Sequence, residues 1–92
     1  MPPGNEYAAE QLKKEGNDYF KEGKYEQAEQ SYTLAIQKNS KSSFLFTNRA
    51  NARLKLEKWE DVINDCLKSI EIVKDNMKAY FYLGGHTWDV FV

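Results

Sequence analysis

The sequence is poor in the residues that build disulfide frameworks, metal centres and membrane spans. Its 92 residues include one cysteine, Cys66, and one histidine, His86. This scarcity excludes an internal disulfide framework and any multi-cysteine zinc site. No apolar run approaches the roughly 18 residues of a membrane span, and the N-terminus lacks the basic and apolar regions of a signal peptide. We therefore expect a protein of the reducing cytoplasm.

The sequence also lacks an excess of charge of one sign. Thirteen basic and fourteen acidic residues give a formal net charge of −1, so no global field attracts nucleic acid or a membrane surface. There is no phosphate-cradling glycine loop, no recognisable nucleophile motif and no pair of carboxylates framed for acid–base work. We therefore expect neither an enzyme nor a protein that needs a metal or another cofactor. Any recognition through charge must be local.

What the sequence does contain is a helical period. Apolar residues recur at steps of three and four from position 7 to position 73, which predicts paired amphipathic helices. Gly23-Lys24 and Glu57-Lys58 interrupt this pattern within each pair, and turn-forming residues separate one pair from the next. After a flexible segment at 1–5, we predict helices near residues 6–22, 25–38, 43–56, 59–73 and from 76 onward.

A shift of 34 residues aligns the sequence with itself. The shift pairs identical residues, namely Asn17 with Asn51, Lys21 with Lys55, Lys24 with Lys58, Glu26 with Glu60 and Ile36 with Ile70. A second shift carries Phe46 to Tyr80 and Ala50 to Gly84, so a third repeat begins near Met77. Gly84-Gly85 followed by threonine and valine is poor helix sequence. We predict one domain over residues 6–92, with repeats at 9–42 and 43–76, a partial repeat at 77–92 and an atypical tail from residue 85.

A 34-residue period of helix, turn and helix resembles the tetratricopeptide repeat. The first repeat has the residue types of that family at Leu12, Gly16, Tyr19, Ala28, Tyr32 and Ala35, with Ser40 where proline is usual. Small residues let helices approach closely, and we expect aromatic residues to fill the gaps between helices, at Tyr19, Tyr25, Tyr32, Phe46 and Trp59. The resemblance implies an all-α fold, in which about two and a half helix-turn-helix repeats stack as a short right-handed solenoid.

Four polar residues on the first helices of the repeats have no evident structural purpose. Lys13 and Asn17 lie four residues apart on the first helix, Asn48 lies on the third and Lys78 on the fifth. Their positions within the repeats predict one stripe on the concave face of the stack. Two ammonium groups and two amides can hold paired carboxylates by charge-assisted hydrogen bonds. We therefore expect an acidic chain end as the ligand, bound with micromolar affinity.

The segments that carry this stripe look like the dicarboxylate clamp of chaperone-binding tetratricopeptide domains. In that family the clamp holds the C-terminal Glu-Glu-Val-Asp of heat-shock chaperones of the seventy- or ninety-kilodalton class. The resemblance implies a co-chaperone-like adaptor in which Lys13, Asn17 and Asn48 hold the terminal main-chain carboxylate. It also implies that Lys78 holds the side chain of the last aspartate.

The resemblance departs from many members of the family one turn after Lys78, where they carry an arginine and this chain carries Tyr82. The segment from Lys78 to Gly84 is similar to the aromatic version found in a chaperone-binding ubiquitin ligase. This similarity implies that Phe81 and Tyr82 form an apolar wall for the peptide.

Several of these residues also have simpler interpretations. Lys13 and Lys78 can be ordinary solvated lysines. Arg49 and Arg53 can assist with upstream acidic residues of a ligand, or they can pair with a nearby glutamate or aspartate. Cys66 stands where the shift places Tyr32, so we expect it to be buried and unreactive. We assign no role to His86.

Self-association is the alternative hypothesis for function. Trp88, Val90, Phe91 and Val92 form an apolar tail at the end of the partial repeat. An apolar tail on an uncapped edge favours dimerisation or exchange of elements between copies. The alternative is therefore a structural helical repeat that forms a homodimer through its C-terminal edge.

Overall fold

The computed structural model describes the backbone of residues 4–91 and the side chains of residues 5–84. Within this range the chain forms helices and no strand, and the helices are α1 (Gly4–Lys21), α2 (Tyr25–Lys38), α3 (Ser43–Lys55), α4 (Trp59–Ile72) and α5 (Met77–Phe91). The boundaries of α1 to α4 and the start of α5 lie within two residues of those predicted. Part of the predicted flexible segment, residues 1–3, lies outside the described residues, and α1 begins at Gly4 rather than at residue 6.

The fifth helix is longer than the residue types in its second half suggest. It continues across Gly84 and Gly85 to Phe91, although we expected an atypical tail from residue 85. Each glycine costs only about 1 kcal/mol in helix propensity relative to alanine, and such a cost is routinely outweighed by the context of the chain. The side chains of the predicted apolar tail lie outside the residues whose side chains are described.

The turns within the two complete helix pairs have the same geometry. Gly23, after α1, has a φ of 78°, and Glu57, after α3, has a φ of 59°. In each turn the next residue closes the helix end, since the amide of Lys24 donates to the carbonyl of Tyr19 and that of Lys58 donates to the carbonyl of Arg53. This hydrogen bond is typical of a helix that ends in a left-handed residue. The 34-residue period of the sequence is therefore also a period of the backbone.

Each helix packs against the next along the chain, and α3 also contacts α5. Small residues form much of the core, as Ala28, Ala35, Ala50, Ala52 and Ala79 are fully buried. The described part of the chain has no helix with both the length and the apolar character needed to cross a bilayer.

Equivalent positions in the cores of the two complete repeats are filled by different pairs of residues. Gly16 faces the ring of Tyr32 so closely that a Cβ at residue 16 would lie 2.6 Å from Cε1 of the ring. In the second repeat the corresponding positions are Ala50 and Cys66, which share one buried cluster. A larger residue on one helix therefore accompanies a smaller one on its neighbour, as close packing requires.

Four of the five aromatic residues predicted to fill gaps pack against neighbours. Tyr25 is half-buried and packs edge-on against Phe20, with ring centroids 5.1 Å apart. Tyr32 and Phe46 are buried, and Tyr19 and Phe20 pack against the buried cluster around Tyr32. Trp59, which we expected to fill a gap, is 41% exposed in the first turn of α4.

A buried polar network fixes the start of α5. The side-chain amide of Asn76 donates to the hydroxyls of Ser43 in α3 and Ser69 in α4, and the two hydroxyls lie 3.0 Å apart. The Asn76 Oδ1 accepts a hydrogen bond from the amide of Ala79 in the first turn of α5. Because all three polar side chains are buried, leaving any of them unpaired would be costly. The network therefore ties the start of α5 to both helices of the second repeat.

Candidate peptide-binding groove

Four of the six predicted site residues line one groove. The groove has a volume of about 190 Å³, and its lining residues are Asn17, Phe20, Lys21, Tyr32, Asn48, Asn51, Lys78 and Tyr82. All of them except Tyr32 belong to α1, α3 and α5, the first helices of the repeats. The predicted residues among them are Asn17, Asn48, Lys78 and Tyr82. No carboxylate occurs among the described residues of the lining.

The first helices each contribute polar residues about one turn apart. On α1 these residues are Asn17 and Lys21, and on α3 they are Asn48 and Asn51. On α5 Lys78 is followed four residues later by Tyr82. Residues three or four apart lie on the same side of a helix. The groove is therefore lined by amide and ammonium donors over more than a single turn.

Tyr32 determines which atoms of Asn17 are available to a ligand. The phenol hydroxyl donates a hydrogen bond of 2.5 Å to Oδ1 of Asn17. Burial, together with the nearby Tyr82, raises the pKa of Tyr32 to about 12, so the phenol keeps its proton at neutral pH. Since Oδ1 is occupied as an acceptor, the Asn17 Nδ2 group remains as the donor. The hydrogen bond therefore fixes the Asn17 amide at the groove with its Oδ1 engaged by Tyr32.

Lys13 and Phe81 are the two predicted residues that do not line the groove. The Lys13 amine lies 3.1 Å from a carboxylate oxygen of Glu10 on the same face of α1. Phe81 is 72% exposed and packs edge-on against Tyr82, with ring centroids 5.6 Å apart. Tyr82 thus lines the groove, and Phe81 packs against the Tyr82 ring without lining the groove itself.

The two arginines of α3 are engaged within the protein. Arg49 makes two hydrogen bonds to the carboxylate of Asp65, of 3.0 and 2.7 Å. Arg53 contacts both Asp65, at 2.9 Å, and Glu29, at 2.7 Å. Glu29 also accepts a hydrogen bond of 2.8 Å from Lys58. Of the two interpretations open from the sequence, pairing with nearby acids is the one observed, and the pairs join α2, α3 and α4.

The cysteine lies in the core, as predicted. Cys66 has no exposed surface, and burial, with a smaller effect of the neighbouring Asp65, raises the pKa of its thiol to about 11. A thiol with such a pKa is almost entirely protonated at neutral pH and is a poor nucleophile. His86 lies outside the residues whose side chains are described.

Sequence reasoning missed three lining residues that are polar, namely Lys21, Tyr32 and Asn51. For two of them a signal was present. Lys21 continues the four-residue spacing of Lys13 and Asn17, and Asn51 is the 34-residue equivalent of Asn17. The hydrogen bond of Tyr32 had no such signal, because it joins residues on different helices whose approach depends on Gly16.

Comparison with known proteins places these features in a family. No sequence model of a protein family matches the chain. The mitochondrial import receptor subunit TOM70 of Rattus norvegicus is 46% identical over 78 residues, which are 79% of this chain and 13% of that protein. The E3 ubiquitin-protein ligase CHIP of Arabidopsis thaliana is 38% identical over 76 residues, which are 83% of this chain and 27% of that protein. The chain thus spans a small part of the length of these relatives.

Two solved structures of tetratricopeptide domains match over most of their length. The second tetratricopeptide domain of Spaghetti (RPAP3), bound to the HSP90 peptide SRMEEVD, has a TM-score of 0.89 and 35% identity, and the match covers 96% of this chain and 82% of that one. The second such domain of human RPAP3, in complex with the HSP70 peptide SGPTIEEVD, has a TM-score of 0.82 and 32% identity, with coverage of 98% and 72%. The chain belongs to the tetratricopeptide repeat family. The predicted class, an all-α solenoid of such repeats, is confirmed.

Proposed function

We propose that this chain is a non-enzymatic adaptor module that binds the acidic C-terminal peptide of a cytoplasmic heat-shock chaperone of the seventy- or ninety-kilodalton class. The observation that carries the proposal is the groove, in which Asn17, Asn48 and Lys78 converge without a competing carboxylate among the described lining residues. Amide and ammonium groups are the donors that a carboxylate accepts most readily. The two RPAP3 domains of the same fold, which hold peptides ending in Glu-Glu-Val-Asp, support the choice of ligand.

In this proposal the groove works as a carboxylate clamp. Asn17, oriented by Tyr32, and Asn48 donate to the terminal main-chain carboxylate, and Lys78 binds the side chain of the last aspartate. Tyr82 provides an apolar surface beside them. Phe81 adds to that surface through its contact with the Tyr82 ring.

In this proposal Lys13 leaves the carboxylate of Glu10 and binds a carboxylate of the peptide instead. Its pair with Glu10 is exposed, with side-chain exposures of 31% and 53%, and pairs of this kind contribute only about 0.2–1 kcal/mol. A ligand carboxylate can therefore displace Glu10 at little cost. If so, Glu10→Gln should free the lysine and tighten binding of the peptide by about two-fold, and Lys13→Ala should weaken it.

The test is titration calorimetry with a peptide ending in Ile-Glu-Glu-Val-Asp, beside the same peptide with an amidated C-terminus. We expect binding near the micromolar range, or about −8 kcal/mol, that is lost on amidation. Asn48→Ala and Lys78→Ala should each weaken binding at least about ten-fold. Lys74→Ala is the matched control for Lys78→Ala, since Lys74 is an exposed lysine outside the groove. Equal binding of the free and amidated peptides would exclude a clamp.

Self-association is a second candidate function. Its support is an apolar surface at the start of α5, where Met77 is 78% exposed, Phe81 is 72% exposed and Tyr80 is 48% exposed. Burying such side chains against a second copy would be favourable. Light scattering on a sizing column decides, because a mass that stays monomeric across micromolar concentrations would eliminate this candidate.

A further inference from the structure

Lys21 is a lining residue of the groove to which no role has yet been given. It lies four residues after Asn17, in the last turn of α1, and its side chain lines the same groove as Lys78. Within the described part of the chain, neither lysine takes part in an ion pair. Two unpaired ammonium groups therefore lie in one groove, one from α1 and one from α5.

A position at the end of a helix does not by itself explain Lys21. A basic residue in the last turn offsets the negative end of the helix dipole, and Lys55 does so at the end of α3, where it is the 34-residue equivalent of Lys21. Lys55 is exposed and does not line the groove. The helix dipole accounts for a lysine in the last turn of both α1 and α3. It does not account for the position of Lys21 in the groove, which Lys55 does not share.

The arrangement around Lys21 is chemically similar to the arrangement around Lys78. Asn51 provides an amide donor in the same groove, and Phe20, beside Lys21, provides apolar surface. Two ammonium groups on separate helices are not neutralised by one carboxylate. Two carboxylates on one extended peptide, about 7 Å apart for alternate residues, could reach both. A groove with two lysines, three asparagines and no described carboxylate fits a ligand with acidic groups at two points.

We propose that Lys21, with Asn51, binds a second carboxylate of the peptide, on an acidic residue upstream of the last one. This inference rests on the proposed function and deepens it, because it makes the module selective for a pair of acidic residues and not for an acidic chain end alone. Lys21 supplies the second positive charge of the groove, whereas Tyr82 contributes no charge.

The experiment is a cycle of two proteins and two peptides, measured by titration calorimetry. The proteins are the wild type and Lys21→Ala, and Lys55→Ala is the control that removes the equivalent lysine outside the groove. One peptide ends in Ile-Glu-Glu-Val-Asp, and in the other both glutamates are replaced by glutamine. We expect Lys21→Ala to weaken binding of the acidic peptide about three- to five-fold. It should leave binding of the glutamine peptide unchanged, and Lys55→Ala should bind both peptides as the wild type does.

The outcomes separate this inference from the function on which it rests. If the wild type binds the acidic peptide and Lys21→Ala binds it equally well, Lys21 is not a ligand-binding residue and the clamp still stands. An equal loss for both peptides also overturns the inference, since Lys21 would then not recognise the upstream acid. If the wild type binds neither peptide, the proposed function fails and this inference fails with it.

Discussion

Replacement of Gly16 by alanine should destabilise the protein, against the usual effect of this substitution in a helix. The new Cβ would lie 2.6 Å from Cε1 and 2.8 Å from Cδ1 of Tyr32. The optimal separation of non-bonded carbon atoms is about 3.5–4.0 Å. The ring must therefore withdraw by about 1 Å. Tyr32 is only 2% exposed and packs in a cluster with Ala28 and Ala52, so there is little space to receive it.

The expected magnitude follows from three contributions. Overpacking of a core costs about 1–3 kcal/mol. Loss of the hydrogen bond from Tyr32 to Asn17 costs about 1 kcal/mol. The better helix propensity of alanine returns about 1 kcal/mol. The net change in the free energy of unfolding for Gly16→Ala should be a loss of about 1–3 kcal/mol, measured by urea denaturation followed by circular dichroism.

Gly84 provides the control. It stands two repeats after Gly16 at the same repeat position, inside α5, and a Cβ there would meet no atom of the described residues within 4 Å. Gly84→Ala should therefore stabilise the protein by about 0.5–1 kcal/mol. In a background of Tyr32→Cys, which introduces the residue found at the equivalent position of the second repeat, the cost of Gly16→Ala should disappear. A Gly16→Ala protein as stable as the wild type would refute the close approach of Gly16 and Tyr32.

Three further predictions concern the groove and the ion pairs. Tyr32→Phe removes the hydrogen bond that orients Asn17, so calorimetry should show about two- to five-fold weaker binding of the free-carboxylate peptide; unchanged affinity would mean that Asn17 needs no orientation. Asp65→Ala leaves two largely buried arginines without their shared partner and should cost about 3 kcal/mol in urea denaturation, and a loss below about 1 kcal/mol would show these pairs to be dispensable. Burial raises the pKa of Glu29, but hydrogen bonds from a lysine and an arginine outweigh it and hold the pKa below its ordinary value of 4.5. The stabilisation from Glu29 is therefore complete above pH 4.5 and is lost as the pH falls through the lower pKa of the folded state. The stability difference between the wild type and Glu29→Gln should shrink between pH 6 and about pH 3, and a constant difference would contradict the assignment.

The helices and their repeat could be predicted from the sequence because both are local or periodic properties. The predicted boundaries of α1 to α4 and the predicted start of α5 lie within two residues of those observed. The pairing of Lys24 with Lys58 marked equivalent turns, which the structure shows to be alike. The long helix α5 was harder, since low propensity at Gly84 says little about a helix whose context favours it.

The groove could be predicted only in part, because it depends on how helices from different repeats meet. A stripe on each helix was enough to identify Asn17, Asn48 and Lys78. It did not reveal that Lys13 would reach Glu10 on its own helix. The carboxylate partners of Arg53 are 12 and 24 residues away in sequence, so only the fold brings them together.

The amide of Asn76 has a consequence for the energetics of binding. This side chain fixes α5 against α3 and α4, and α5 carries Lys78 and Tyr82 to one side of the groove. A peptide that touches both α1 and α5 would therefore be coupled by mass action to the docking of α5. Part of the binding free energy would hold that helix in place, and hydrogen exchange in α5 would slow when the groove is filled. Weakening the three hydrogen bonds of Asn76 would then lower the affinity of the module, although Asn76 does not line the groove.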